Sequence, residues 1–173
     1  MTFLAIRATV FATAFMGGWF WLVFRLQPLS REWDGAMPAW TIAPGLALAA
    51  AGAAGMVMCI GLFVVEGHGT PALFDAPRRF VAAGPYRYVR NPMYLSALAA
   101  FAGYGLYVRS IAVLVFAAAW FVLIHTVVVL IEEPGLRERF DGTYIDYCAR
   151  VSRWVPRLPN QNSRTGISSA ASA

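Results

Sequence analysis

The chain has 173 residues, of which 59% are hydrophobic and only 13% charged, and its mean hydropathy is +0.57. Charge at about half the globular norm excludes an ordinary soluble domain, and the length allows one domain with about four spans of roughly 20 residues each. The net charge of +5 comes from fourteen arginines against nine acids, with no lysine, and the arginines flank apolar runs. That placement reads as membrane-surface bias and not as nucleic-acid binding.

The first expected span covers residues 3–24, with Gly17-Gly18 in its C-terminal half. No basic segment precedes it and Arg7 lies inside it, so it reads as a retained span and not as a cleaved signal. A polar loop with Arg31, Glu32 and Asp34 leads to a second span over 40–65, whose alanine- and glycine-rich stretch 47–61 invites close packing by another helix. The loop 67–91 holds His68, Asp75, Arg78, Arg79, Arg87 and Arg90. A short third span runs from Pro92 to about Val108, and Arg109-Ser110 turns it into a fourth over 111–131, which makes an antiparallel hairpin. Pro134 then breaks the spanning helix and begins an amphipathic one, with Leu136, Phe140, Tyr144, Tyr147 and Val151 at helical spacing. This helix is expected at the membrane interface, with Trp154 as an interfacial anchor. From Pro159 onward the tail is small and polar and is expected to be disordered. The expected fold is thus an all-α integral membrane protein: about four transmembrane helices, a C-terminal interfacial amphipathic helix, and a single domain over 1–158.

Arginine counting orients the chain. With four spans, Arg7, the 67–91 loop and the tail share one face and hold eleven arginines, against Arg25, Arg31 and Arg109 on the other. Both termini are therefore expected to be cytoplasmic, as in a multi-pass inner-membrane protein.

Polar chemistry concentrates in two places on that face. Residues 84–94 read Gly-Pro-Tyr-Arg-Tyr-Val-Arg-Asn-Pro-Met-Tyr, and Glu132-Glu133 stand where the fourth apolar run ends. Asn91-Pro92 suits a helix start, with Asn as N-cap and Pro at the first position. Such a start also aims free backbone N–H groups at an anion. Glu132-Glu133 before Pro134 suit the first turn of the tail helix, and they also stand as carboxylates at a membrane edge. His125 lies two turns before Glu132 and is expected on the same face. Tyr86, Tyr88 and Tyr94 fit an aromatic belt or a stacking surface. No Walker loop, GxGxxG, HExxH or CxxC occurs, and Cys59 and Cys148 have neither disulfide nor metal-ligand placement.

Taken together, Gly84-Pro85-Tyr86, Arg90-Asn91-Pro92-Met93-Tyr94, Glu132-Glu133, Phe140, Tyr144-Ile145-Asp146-Tyr147 and Arg150-Val151 to Pro156 resemble the isoprenylcysteine carboxyl methyltransferase family and its phospholipid methyltransferase relatives. The resemblance implies a non-Rossmann membrane enzyme that binds S-adenosylmethionine at the cytoplasmic edge. By position it implies that Arg78, Arg79, Phe80, Val81 and Tyr86 line the cofactor. Arg90, Asn91, Pro92, Met93 and Tyr94 would hold it from the helix start, and Glu132 would contact its polar groups. His125 and Glu133 would assist where an acceptor must lose a proton. The acceptor is expected to be lipophilic, with a carboxylate, thiol or amine nucleophile, and to enter from the bilayer. Two positions depart from the family. The usual histidine of the Arg-His-Pro element is Asn91, and the arginine that engages the substrate carboxylate in eukaryotic prenylcysteine enzymes is Val128. The second departure argues against a prenylcysteine acid as acceptor. Two rival readings are an NADPH-dependent membrane reductase and a non-catalytic scaffold or lipid-binding protein.

Overall fold

The computed structural model describes residues 17–30, 37–67 and 82–156, together with Val10 and Ala14. Most of the first expected span, the loop residues 31–36 and 68–81, and the tail from 157 lie outside the described residues. All the regular structure described is helical apart from an isolated bridge between Val89 and Ser152.

Residues 17–26 form helix α1, which ends in a 3-10 turn, Gln27–Ser30. Helix α2, Ile42–Leu62, is entered through the 3-10 turn Ala39–Thr41 and left through a π turn, Phe63–Gly67. Helix α3 is Pro92–Tyr107 and helix α4 is Ile111–Val127. A second π turn, Val128–Glu132, leads directly into α5, Glu133–Arg150.

Pro134 therefore does not break the chain as its sequence position suggests. Proline lacks an N–H and crowds the carbonyl four residues back, and the widened turn before it accommodates both defects without ending the helix. The real kink comes later, at Asp141, where φ is 38° inside α5.

Small residues set the packing of α2 on α3. A Cβ placed on Gly52 would meet Ala100 N and Ser96 O at 2.5 Å, and one on Gly103 would meet Ala49 N at 2.3 Å. Only hydrogen fits at these crossings, so the backbones approach as the 47–61 composition suggests. On its other side α3 shares an aromatic core with α1 and α4. Phe101, Val113, Trp120 and Val128 are buried there with Val23, and the Phe101 ring lies 5.2 Å from those of Phe20 and Trp120. The α3–α4 turn forms where expected. Arg109 takes φ 56°, Ser110 N–H donates to Gly105 O at 2.9 Å, and Arg109 Nε donates to Met37 O at 2.7 Å.

Among the described residues, two helices are long and apolar enough to cross a membrane, Ala39–Val65 and Ile111–Arg150, the apolar part of the latter ending at Ile131. Little of either run is buried within the protein. Leu46, Val57 and Met58 on one, and Val115, Val122, Leu123, Leu130 and Ile131 on the other, are exposed. Helices apolar outward as well as inward require an apolar surround, which marks a membrane protein. At 16 residues, α3 is at the short end for a crossing, as its sequence indicates.

Candidate active site

The polar residues meet at the end of the bundle where α3 begins and the apolar part of α4 stops. Pro92 occupies the first turn of α3 and is buried. Asn91 stands at the N-cap position but makes no capping bond; its Nδ2 donates instead to Arg153 O at 3.2 Å. The first N–H groups of α3, those of Met93 and Tyr94, are thus left without a side-chain cap from Asn91.

In the first turn of α3, the Tyr94 hydroxyl donates a hydrogen bond to Glu132 Oε1, while its ring packs on Trp120 with centroids 6.3 Å apart. Burial makes Glu132 easier to protonate, and the neighbouring Glu133 charge adds to this, outweighing the Tyr94 bond.

Adjacent residues on a helix point about 100° apart, so Glu133 faces a different set of partners. Arg153 grips it bidentately, Nε to Oε1 at 2.7 Å and Nη2 to Oε2 at 2.9 Å, and Arg90 Nη1 lies 3.1 Å from Oε1. Glu133 is buried, which alone would raise its proton affinity. The Arg153 bonds and the charges of Arg90 and Arg153 win, and its carboxyl is held below the usual carboxylate range. Arg90 is itself tied down: its N–H donates to Ser152 O at 2.8 Å and Nη1 reaches Cys148 Sγ at 2.9 Å. Its Nε is buried and has no hydrogen-bond partner among the described residues.

Tyr86 sits in the 3-10 turn Gly84–Arg87, buried against Cys59, Leu62, Phe63 and Met93. Its carbonyl accepts the Tyr147 hydroxyl at 2.7 Å, which locks the loop to α5. The expected apolar face of α5 is the one used: Tyr144, Tyr147 and Val151 are buried, with Leu136 and Phe140 against them.

His125 is turned elsewhere. Trp154 Nε1 donates to its Nδ1 at 2.9 Å, and the Trp154 ring packs on Phe121 at 5.0 Å. Trp154, read from sequence as a membrane anchor, is therefore an internal contact. Accepting at Nδ1 leaves the neutral imidazole proton on Nε2. Arg78, Arg79, Phe80 and Val81 lie outside the described residues. Val128 is 1% exposed in the aromatic core, so this position offers no wall for an acceptor carboxylate. Sequence reasoning missed Arg153 and Trp120, and it placed Tyr147 on the apolar face of the tail helix without its bond to Tyr86. Nothing local marks Arg153.

Residues 40–143 match the sequence model of the phospholipid methyltransferase family. The match spans more than half of the chain, and the protein belongs to that family, a family of membrane methyltransferases. It runs from the entry of α2 into α5 and includes Tyr94, Glu132 and Glu133. No curated protein and no solved structure matches the chain.

Proposed function

We propose that this protein transfers a methyl group from S-adenosylmethionine to a lipophilic acceptor at the cytoplasmic membrane face. In this reading the protein is a multi-pass inner-membrane protein with four spans: one over residues 3–24, then α2, α3 and α4, with α5 along the interface. The observation that carries the reading is the Tyr94–Glu132 pair beside the Arg90–Glu133–Arg153 cluster, at the open start of α3.

The donor set suits the cofactor. S-adenosylmethionine presents a carboxylate, an ammonium, two ribose hydroxyls and a sulfonium. The start of α3, uncapped by Asn91, and Arg90 Nε, unpartnered among the described residues, offer N–H groups to an anion. Glu132, with Tyr94 on one oxygen only, offers a carboxylate to the ammonium or the hydroxyls. When bound, the cofactor supplies an electrophilic methyl on sulfur, so the protein has to align a nucleophile in line with it and exclude water.

Proton handling follows from the hydrogen bonds. Glu133 is held anionic by two arginines and serves better as their anchor than as a base. His125 can donate from Nε2, and it takes a proton at Nδ1 only by giving up Trp154. Where the acceptor is an amine, it must lose a proton before attack, and Glu132 serves as its base only where the cofactor's ammonium is not paired with it. An anionic thiolate or carboxylate acceptor requires none.

The test is calorimetry on the detergent-purified protein with S-adenosylmethionine, S-adenosylhomocysteine and NADPH, repeated on Glu132→Gln. The expected result is saturable binding of the two adenosyl ligands and at least tenfold weaker binding by the variant. Folded wild-type protein that binds NADPH alone, or nothing, overturns the proposal.

A further inference from the structure

We propose that residues 151–154 form a strap that fixes the start of α3, and that Arg153 is a positioning residue for methyl transfer. It acts through Glu133 and Asn91 without touching cofactor or acceptor, and the inference rests on the functional reading above.

The chain leaves α5 extended, with Val151 at φ −117° and ψ 127°, and lies parallel to the loop at the Val89–Ser152 bridge. From there each residue holds a different element. Ser152 O accepts the Arg90 N–H at 2.8 Å. Arg153 O accepts Asn91 Nδ2 at 3.2 Å while its guanidinium grips Glu133 at the head of α5. Trp154 Nε1 reaches His125 on α4 at 2.9 Å. Three consecutive residues thus join the loop, the start of α3, the start of α5 and the last turns of α4.

Arg153 is the keystone because both halves of it are used. Its carbonyl sets the Asn91 side chain, and its guanidinium shares Glu133 Oε1 with Arg90, so Arg90 is held by backbone on one side and by a common anion on the other. The two parallel N–H···O bonds need a planar fork, which lysine lacks. Arg90 and Asn91 immediately precede Pro92, and a displacement there passes directly into Tyr94, whose hydroxyl must stay on Glu132. Misplacement of about 1 Å at a methyl-transfer site costs on the order of a hundredfold in rate. The strap lies beyond residues 40–143, so the family match does not assign it a role.

The experiment uses the full chain in detergent, as wild type, Arg153→Gln, Arg153→Lys, Glu133→Gln and the Arg153→Gln/Glu133→Gln double variant. Amide hydrogen exchange at Arg90 is read first, without ligand. Arg153→Gln is expected to speed it at least tenfold and Arg153→Lys less. S-adenosylmethionine affinity, read by calorimetry, is then expected to fall at least tenfold in Arg153→Gln and less in Arg153→Lys. The double variant should be no weaker than the worse single one, because all act on one contact set. Should Arg153→Gln fail to fold, Arg153→Lys carries the same comparison. A folded variant with unchanged Arg90 exchange refutes the strap, and independent, additive losses refute action through Glu133. Wild type that binds no S-adenosylmethionine refutes the functional reading and with it the role in the reaction, while the exchange arm still decides the strap.

Discussion

Replacing Gly103 by alanine tests whether the backbone contact between α2 and α3 sets the geometry of the site. The added Cβ would lie 2.3 Å from Ala49 N, 2.7 Å from Gly45 O and 2.8 Å from Ala49 Cα, all atoms of the facing backbone. No rotamer can relieve these contacts, so the helices must part by about 1 Å, and a gap of that size forfeits a quarter to a half of the dispersion energy across it. In an apolar solvent this packing is the main force between helices, and a cost of about 2–3 kcal/mol follows. Gly61 is the control, because a Cβ there meets nothing within 4 Å among the described residues. Gly61→Ala should be neutral or stabilising by up to about 1 kcal/mol through helix propensity. Thermal unfolding in detergent, followed by circular dichroism, compares the two. Calorimetry should also show weaker cofactor binding by Gly103→Ala, since α3 carries Tyr94. A Gly103→Ala protein within about 0.5 kcal/mol of wild type would refute the packing argument.

Val128→Arg, which restores the residue type of the prenylcysteine enzymes, should lower expression and melting temperature sharply and confer no prenylcysteine carboxylate methylation. The side chain would enter the aromatic core, where an unpaired charge costs several kcal/mol. Trp154→Phe keeps the ring contact with Phe121 but loses the bond to His125, at a cost of about 1 kcal/mol in melting experiments, whereas Trp154→Ala should cost more. Glu133 titrates below the usual carboxylate range in the folded protein, so its pairing stabilises the fold above the unfolded value of about 4.3. That stability is lost as pH falls through the lower folded value. Melting temperature should therefore drop in acid, and Glu133→Gln should flatten that limb of the profile.

The hairpin turn at Arg109-Ser110, the extent of α2 and the buried stripe of α5 were legible in sequence because each is local. They follow from an apolar run's length, a polar break or a helical repeat. The close α2–α3 crossing was legible as composition, but which glycines meet depends on the register of two helices. The strap was not legible: Val89 and Ser152 are far apart in the chain, and no periodicity encodes their bridge. Asn91 illustrates the same limit. Its position at the helix start could be read, but its side chain answers to Arg153, and that choice belongs to the folded chain. The same holds for Trp154, whose amphipathic ring suits an interface equally well inside or outside the protein.

The π turn at Val128–Glu132 gives the chain a dependence on counting. An α-helix that gains or loses one residue rotates everything beyond it by about 100°. Here the wide turn has absorbed one residue, and the facing directions of Glu132 and Glu133 are set by it. Deleting a single residue, such as Ile131, would let the turn tighten while leaving composition, charge and hydropathy almost untouched. Glu133 would then keep facing Arg90 and Arg153, whereas one further inserted residue, with no slack left to take it up, would swing it away. Substitution profiles across this stretch should be permissive on its outer face, a one-residue deletion should be accepted by the tightening turn, and a one-residue insertion should not be tolerated.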